Sequence, residues 1–412
     1  MLRFYLSLAL KNLLRHKRRT ILTALAIAVA IFYYIILDSL LSGADRDAIK
    51  NLIDLETSHL QVSAAAAEMN ARPDLKNLLP NGDTLAKRIS ALREVERAVP
   101  RLLFPATIFG GLDEMPVTGV GVDPVNDPKV FTVNEFVQAG RWLRPEENTA
   151  VVGKRIAELL EIDVGDIITL RTQTKTMTFQ ALDLTVVGLV ASPHPMVNQN
   201  QIFLPLGVAQ DALGVDNAVS TAPVRVRDGA DLATVAERIR RLDLGATPFK
   251  VETWETASSF LVIGSTKRSY GGAFLMMVFL ISTIGIVNSI LLSTLERVRE
   301  IGIMKAMGMK ESGIIRLFAY EAFCLGLLGG SIGVGMATIA NVYLVNVGID
   351  FTAMMGDIDI GYPIAARFYG AWNWSVTLWA SLFGVIASLA ASYLPARKAA
   401  RLDAVECLRQ GG

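Results

Sequence analysis

The sequence predicts a membrane protein with four transmembrane α-helices in a 1+3 arrangement and a large α+β extracytoplasmic domain inserted between helices 1 and 2. Three observations predict it. Apolar runs cover residues 21–41, 273–292, 317–345 and 376–394, and each can cross a hydrocarbon core about 30 Å thick, which takes roughly 20 helical residues. Residues 42–272 carry short strand-type and helix-type patterns suited to an aqueous domain with its own core. Composition agrees: 52% hydrophobic residues and a mean hydropathy of +0.40 are high for a soluble chain, while 19% charged residues require a substantial aqueous part.

Residues 1–20 precede the first span. Leu2, Leu6, Ala9 and Leu13 fall at helical spacing before a basic cluster, which suits an amphipathic segment on the inner membrane surface or a cytoplasmic extension of the first helix. A cleaved signal peptide is the competing reading. The apolar run is longer than a usual signal core, and the region of Asp45 and Asp47 offers no small-residue cleavage site. The span is therefore expected to be a retained anchor.

In the insert, helical periodicity marks Thr84 to Ala98, with Leu85, Ile89 and Leu92 on one face, and Asp231 to Leu242, with Leu232, Val235 and Ile239. Strand-type runs are Thr107–Ile108, Val117–Val122, Ile167–Arg171, Thr176–Phe179, Leu184–Val190 and Gln201–Phe203, and Val164-Gly165-Asp166 reads as a turn feeding a strand. The insert thus reads as an α+β domain, with two subdomains expected. Cys324 and Cys407 are the chain's two cysteines, so the insert must fold without disulfides. His16, His59 and His194 are scattered, and no metal site is expected. Gly153-Lys154 lacks the rest of a phosphate-binding loop and reads as a strand-to-helix turn; no GxSxG elbow occurs either. No catalytic residue is nominated. The expectation is a non-catalytic subunit with no cofactor of its own.

Net charge of +1 is uninformative, but its distribution is not. Basic residues crowd the first 20 residues, the 293–316 connection (Arg297, Arg299, Lys305, Lys310, Arg316) and the 395–412 tail. The 346–375 connection instead has Asp350, Asp357 and Asp359 against Arg367. The positive-inside rule places both termini and 293–316 in the cytoplasm, and 42–272 and 346–375 outside it. In the third span, Gly326 with Gly330 and Gly329 with Gly333 form two overlapping small-xxx-small registers suited to close packing in the helix bundle.

The 293–316 connection carries an amphipathic stretch in which Ile301, Met304 and Met307 form an apolar ridge edged by Arg299, Glu300 and Lys305. Such a ridge suits a groove in another protein or the bilayer surface. The string R-E-I-G-I-x-K-A-x-G over residues 299–308, followed by Ile314, Ile315, Arg316 and then Glu321 opening a glycine-rich span, resembles the coupling-helix region of the FtsX/MacB/LolC-LolE permease superfamily of ABC transporters. The tail from Leu394-Pro395 to Arg409 is similar to that family's ending, in which proline and basic residues close the last helix. Val151 to Lys154, Val164 to Asp166 and Ile202 to Leu206 resemble its periplasmic domain.

The resemblance implies a permease in the bacterial inner membrane that works by mechanotransmission, as in type VII transporters. Its expected partners are two separate ABC ATPase subunits carrying ATP and Mg, a second permease, identical or paralogous, and membrane lipids; nucleic acid is not among them. Coupling to the ATPase would fall to Arg297, Arg299, Glu300, Ile301, Met304, Lys305, Met307 and Gly308. A lipid or substrate cavity would be lined by Tyr33, Tyr34, Met276, Met277 and Phe279. A loop at Pro193, Pro195, Met196 and Gln199 would dock a periplasmic carrier. Without a fused nucleotide-binding domain in this sequence, and with an insert longer than that of FtsX, the resemblance points to the lipoprotein-releasing permeases, which pass lipoproteins to a carrier. FtsX-like activation of a cell-wall hydrolase and MacB-like efflux of drugs or peptides remain the alternatives.

Overall fold

The computed structural model describes residues 2–15, 17–67, 73–110, 113–243, 247–257, 298–350 and 367–401, with isolated positions between 277 and 291. The chain divides into a helical unit, Met1–Arg46, Thr266–Phe351 and Arg367–Gly412, and a β-rich unit, Asp47–Ser265 and Thr352–Ala366.

The β-rich unit is built on strands β1 (Leu60–Ala64), β2 (Val95–Ala98), β3 (Arg101–Gly110), β4 (Asp113–Val122), β5 (Val137–Gly140), β6 (Thr149–Gly153), β7 (Ile167–Gln173), β8 (Phe179–Val190), β9 (Gln201–Pro205), β10 (Thr221–Val226) and β11 (Phe249–Thr253). They form one sheet. On one side it closes on itself, because β3 pairs with β4, β4 with β9, β9 with β6, β6 with β8, β8 with β7, and β7 again with β3. Closure leaves these six strands without an open edge. Their inward positions follow the two-residue period of a strand: Leu184 and Val186 of β8 join Leu102, Phe104 and Ile108 of β3 in one buried cluster. Gly119 stands directly opposite Phe104, and the Phe104 ring occupies the space where a Cβ on Gly119 would lie.

Beyond β3 the sheet opens into a wing of β10, β1 and β11, with β2 on β10. Helices α3 (Gly82–Ser90) and α7 (Leu232–Arg240) bury Leu85, Ala86 and Ile89, and Val235, Ala236 and Ile239. Asp231 caps α7 by accepting from the Thr234 amide at 3.0 Å. Among the described residues this unit also contains the helices α4 (Lys154–Leu160), α5 (Pro195–Asn200), α6 (Leu206–Leu213) and α8 (Trp254–Ala257).

Three local expectations are corrected. The helix expected from Thr84 to Ala98 stops at Ser90. Residues 95–98 pair with β10, and Ser90 Oγ accepts from the Ala98 amide at 2.9 Å. Cross-strand pairing there overrides the helical spacing of Leu92. Thr176 to Thr178 is a turn joining β7 to β8, with Met177 at φ +63° and the three hydroxyls of Thr174, Thr176 and Thr178 in contact. The two expected subdomains are the closed ring and the wing of one continuous sheet.

The helical unit contains α1 (Leu2–Arg15), the N-terminal part of α2 (Lys17–Leu52), α9 (Val298–Ala306), α10 (Glu311–Asn346) and α11 (Trp374–Arg401). Three of the described helices are long and apolar enough to cross a membrane, over Thr20–Thr57, Glu311–Asn346 and Trp374–Lys398. The expected span 273–292 falls largely outside the described residues. The last helix does not close at Pro395 but continues through it to Arg401, where Ala396 and Ala400 pack on Ile301.

Gly329 and Gly333 of α10 face one neighbouring helix and Gly326 another, while Gly330 borders both. A Cβ on Gly329 would stand 2.8 Å from the Ala24 carbonyl oxygen, and one on Gly333 would stand 2.6 Å from that of Ala28, both on α2. A Cβ on Gly326 would instead meet Val385 Cα of α11 at 2.8 Å. Around these contacts lie Ile27, Ile31 and Ile35 with Leu325, Ala337, Ala380, Ala387 and Ala391.

Gly335 of the same helix has open space where a Cβ would lie. Gly333→Ala should therefore destabilise the bundle by about 1–3 kcal/mol through overpacking, whereas Gly335→Ala should be neutral or slightly stabilising. Thermal melting of the two purified full-length variants in detergent checks this, and equal melting temperatures would remove the α2–α10 contact from the account.

Candidate functional site

Helix α9 and the turn after it occupy the segment nominated for coupling. Ile301 is 0% exposed and packs in a cluster with Ile314, Phe318, Ala396 and Ala400, with Met304 and Met309 against it. A side chain buried in its own unit cannot enter a partner's groove, so the expected ridge of Ile301, Met304 and Met307 is corrected: Ile301 and Met304 turn inward. The outward apolar groups are Ile303, 46% exposed, and Met307, 76% exposed. Ala306, Gly308, Lys310 and Glu311 are exposed beside them.

The turn is defined by its backbone. The Gly308 amide donates to the Lys305 carbonyl at 2.9 Å, and the Met309 amide to the Met304 carbonyl at 3.0 Å, with Gly308 at φ +89°. This paired capping closes a helix with a left-handed residue, a conformation that suits glycine. Helix α10 then starts at once, with Glu311 in its first turn. Gly308, nominated for ATPase coupling, thus sets the angle between α9 and α10. Glu300 and Lys305 are half-buried. Arg297 and the side chain of Arg299 lie outside the described residues.

Helix α1 is separate from α2 and packs on α10. Tyr5 and Tyr320 stack with centroids 6.2 Å apart, and Asn12 Nδ2 donates to Glu321 Oε1 at 2.7 Å. Glu321 is buried, and this bond meets the need of a buried carboxylate for a donor. Farther along α10, Ser39 Oγ donates to Asn341 Oδ1 at 2.5 Å, and the Ala371 amide donates to the Ser39 carbonyl at 3.0 Å. Hydrogen bonds of this kind tie α10 to its neighbours at points the sequence did not nominate. Their polar residues inside apolar helices were the available signal.

Of the proposed lipid cavity, Tyr33 is exposed, Tyr34 packs partly into the helical core and Met277 is exposed. Met276 and Phe279 lie outside the described residues. The proposed carrier-docking loop is a short helix, α5, anchored by Asn198 Nδ2 donating to the Ser192 carbonyl at 2.7 Å. Met196 is exposed on it, while Pro193, Pro195 and Gln199 are half-buried. Next to it His194 is buried, its Nε2 2.9 Å from Glu56 Oε2 but outside hydrogen-bond alignment.

Two electrostatic features organise the β-rich unit. Arg101 Nε and Nη2 donate to Asp127 Oδ1 and Oδ2, each at 2.7 Å, with both side chains buried. The guanidinium carbon lies 3.3 Å from the Phe131 ring centroid. Such a two-pronged pair satisfies both buried charges at once. At the start of the wing, His59 Nδ1 accepts from the Val226 amide at 3.2 Å, so the imidazole is held neutral at that nitrogen. Burial lowers the His59 pKa from its ordinary value, and Arg225 adds to this, against the opposing pull of Asp54, Asp228 and Glu96. Arg225 in turn is paired with Asp54 at 2.5 Å.

Two family models match the chain: the MacB-like periplasmic core domain over residues 20–242 and the FtsX-like permease C-terminal region over residues 272–404. An uncharacterized ABC transporter permease of Methanocaldococcus jannaschii is 29% identical over 285 residues, covering 66% of this chain and 65% of its own. Macrolide export ATP-binding/permease protein MacB 2 of Aeromonas hydrophila subsp. hydrophila is 27% identical over 424 residues, covering 97% and 60%. Pyoverdine export ATP-binding/permease protein PvdT of Pseudomonas fluorescens is 25% identical over 403 residues, covering 95% and 57%. The chain thus spans about three-fifths of the length of these curated relatives.

The His59 environment yields a pH dependence. With a folded pKa below the ordinary value of about 6.5, the folded state binds fewer protons than the unfolded chain as pH falls through that value. Stability is therefore full above about pH 6.5 and declines below it until the folded imidazole is itself protonated. Denaturant midpoints of the full chain between pH 8 and pH 5, conditions chosen to span roughly that range, should fall in the parent and fall less in His59→Gln. Parallel profiles would remove His59 as the cause.

Proposed function

Because this chain belongs to the family of ABC transporter permeases with a MacB-like periplasmic core domain and an FtsX-like C-terminal region, we propose that it transmits the motion of ABC ATPase subunits to its β-rich unit and so drives cargo out of the membrane. The observation that carries this reading is the α9–α10 turn. It presents Ile303 and Met307 outward on a base fixed by Ile301 and capped by Gly308. An apolar pair on a stiff base is suited to a groove in a second protein. In this reading ATP and Mg bind the ATPases, a second permease completes the assembly, and this chain moves without catalysing. In this reading both termini and α9 lie in the cytoplasm of a bacterial cell and the β-rich unit on the periplasmic side, which the basic flanks support.

The resemblance in the sequence suggests lipoproteins handed to a periplasmic carrier as cargo. The relatives named for macrolide and pyoverdine export suggest secreted small molecules. Both are cargo taken from or across the inner membrane, and both use the same coupling step. Native mass spectrometry of the complex separates them: a bound triacylated lipoprotein selects the first, and a bound small amphiphile selects the second.

The coupling step has its own test. Met307→Glu and Ile303→Glu place a charge in what would be an apolar interface, and each should lower co-purification of the ATPase by roughly tenfold or more at unchanged permease levels. Ile301→Glu places the charge inside the permease's own cluster and should instead lower the amount of folded permease. Full ATPase recovery with Met307→Glu would overturn the proposal.

A further inference from the structure

Helix α1 is not a straight continuation of the first span. Thr20 Oγ1 donates to the Leu13 carbonyl at 2.8 Å, whereas seven residues along a straight α-helix rise about 10 Å. The chain therefore turns sharply between α1 and α2, and α1 leaves the axis of the apolar span that begins at Thr20. Its rotation is fixed by one face. Ala9 is buried, Leu13 packs against the helical core, Tyr5 stacks on Tyr320 and Asn12 donates to Glu321. The opposite face is open: Leu10 is 47% exposed and Leu14 67%, with Ser7, Lys11 and Arg15 exposed beside them.

The open face is divided lengthwise. Leu10 and Leu14 stand about one turn apart, and Lys11 and Arg15 stand one turn apart on a strip about 100° further round the helix. An apolar strip beside a basic one suits a helix lying where acyl chains meet headgroups. The charge has one sign: residues 1–37 carry Arg3, Lys11, Arg15, Lys17, Arg18 and Arg19 and no Asp or Glu. Lys17 and Arg18 are exposed as well, and Lys11, Arg15, Lys17 and Arg18 make no ion pair among the described residues. Just past the turn, Ile21 and Leu22 are 61% and 68% exposed, so open apolar surface continues from α1 into the start of the span. An anionic lipid matches both strips at once, its acyl chains against the leucines and its phosphate against the cations.

We propose that α1 is a recognition surface for anionic phospholipid, with Lys11 and Arg15 holding the headgroup phosphate and Leu10 and Leu14 lying along the acyl chains. The proposal rests on the membrane-spanning reading of α2 and not on the coupling step, so it is tested without ATPase. Lipid composition then bears on the N-terminal third of α10, because Tyr5 and Asn12 hold α1 to Tyr320 and Glu321.

Native mass spectrometry reads the lipid retained by the purified full chain in detergent, titrated with phosphatidylglycerol or with phosphatidylcholine of the same acyl chains. The parent is expected to retain the anionic lipid in preference. Lys11→Gln combined with Arg15→Gln should lower that preference by about fivefold or more, with the lipid-free melting temperature unchanged because both side chains are exposed. Arg397→Gln combined with Lys398→Gln removes two exposed cations at the end of α11 and should leave the preference intact. Glycerol phosphate, the headgroup without chains, should not displace the lipid. Equal retention of the two lipids overturns the proposal, and so does an equal loss in the α11 variant, which would mark diffuse charge. Displacement by glycerol phosphate would mark a site for a soluble anion and overturns it too. An undiminished preference in the Lys11 and Arg15 variant does the same, and a loss of ATPase co-purification in that variant would then give the strip to a protein partner.

Discussion

The helical unit depends on how closely the backbone of α10 can approach its neighbours. Lipid tails are as apolar as leucine, so helices in a bilayer gain little from burying apolar surface against one another; close packing and interhelical hydrogen bonds must do more. Gly329 and Gly333 bring α10 against α2, and Gly326 brings it against α11. One helix thereby carries two contacts on two faces. Asn12 on Glu321 and Ser39 on Asn341 then fix α10 along its length through bonds that weaken if the helix slides or turns.

The β-rich unit reaches definition differently. Ring closure removes edges where strands slip, and each residue must keep its side of the sheet once the ring is shut. Gly119 under Phe104 shows how little tolerance remains: the strand pair closes only because one partner has no side chain. On the opposite face the buried Arg101–Asp127 pair, capped by Phe131, joins the start of β3 to the segment following β4. Removing one member of such a pair is far more damaging than never having had it. It therefore specifies one arrangement of these segments over near alternatives.

The elements legible in the sequence were those with strong periodicity over a long window. Three of the apolar runs, the 232–240 helix, the first part of the 82–90 helix, the turn at Gly165 and the strand-to-helix turn at Gly153 and Lys154 all follow from residues within a few positions of one another. Where the sequence misled, a partner distant in the chain decided. Residues 95–98 are a strand because β10 lies beside them, more than 120 positions away. The apolar ridge of α9 illustrates the limit at a candidate site. Periodicity identifies a face made of Ile301, Met304 and Met307, but which edge of that face is covered depends on Phe318 and Ala400, which no local window includes. The cross-strand row of Ser63, Thr221 and Arg101 was equally hidden, since these residues become neighbours only through strand register.

Gly308 also has a mechanical meaning. A helix end with unsatisfied carbonyls frays, and a frayed end absorbs displacement as local unwinding. At this joint the carbonyls of Met304 and Lys305 are taken up by the Met309 and Gly308 amides, and only the four-residue turn Met307–Lys310 separates α9 from α10. A push on Met307, in the proposed coupling, would meet a short capped turn rather than a frayed end. It would then arrive at the foot of α10 as torque, with the helix acting as a lever about its glycine contacts rather than as a spring.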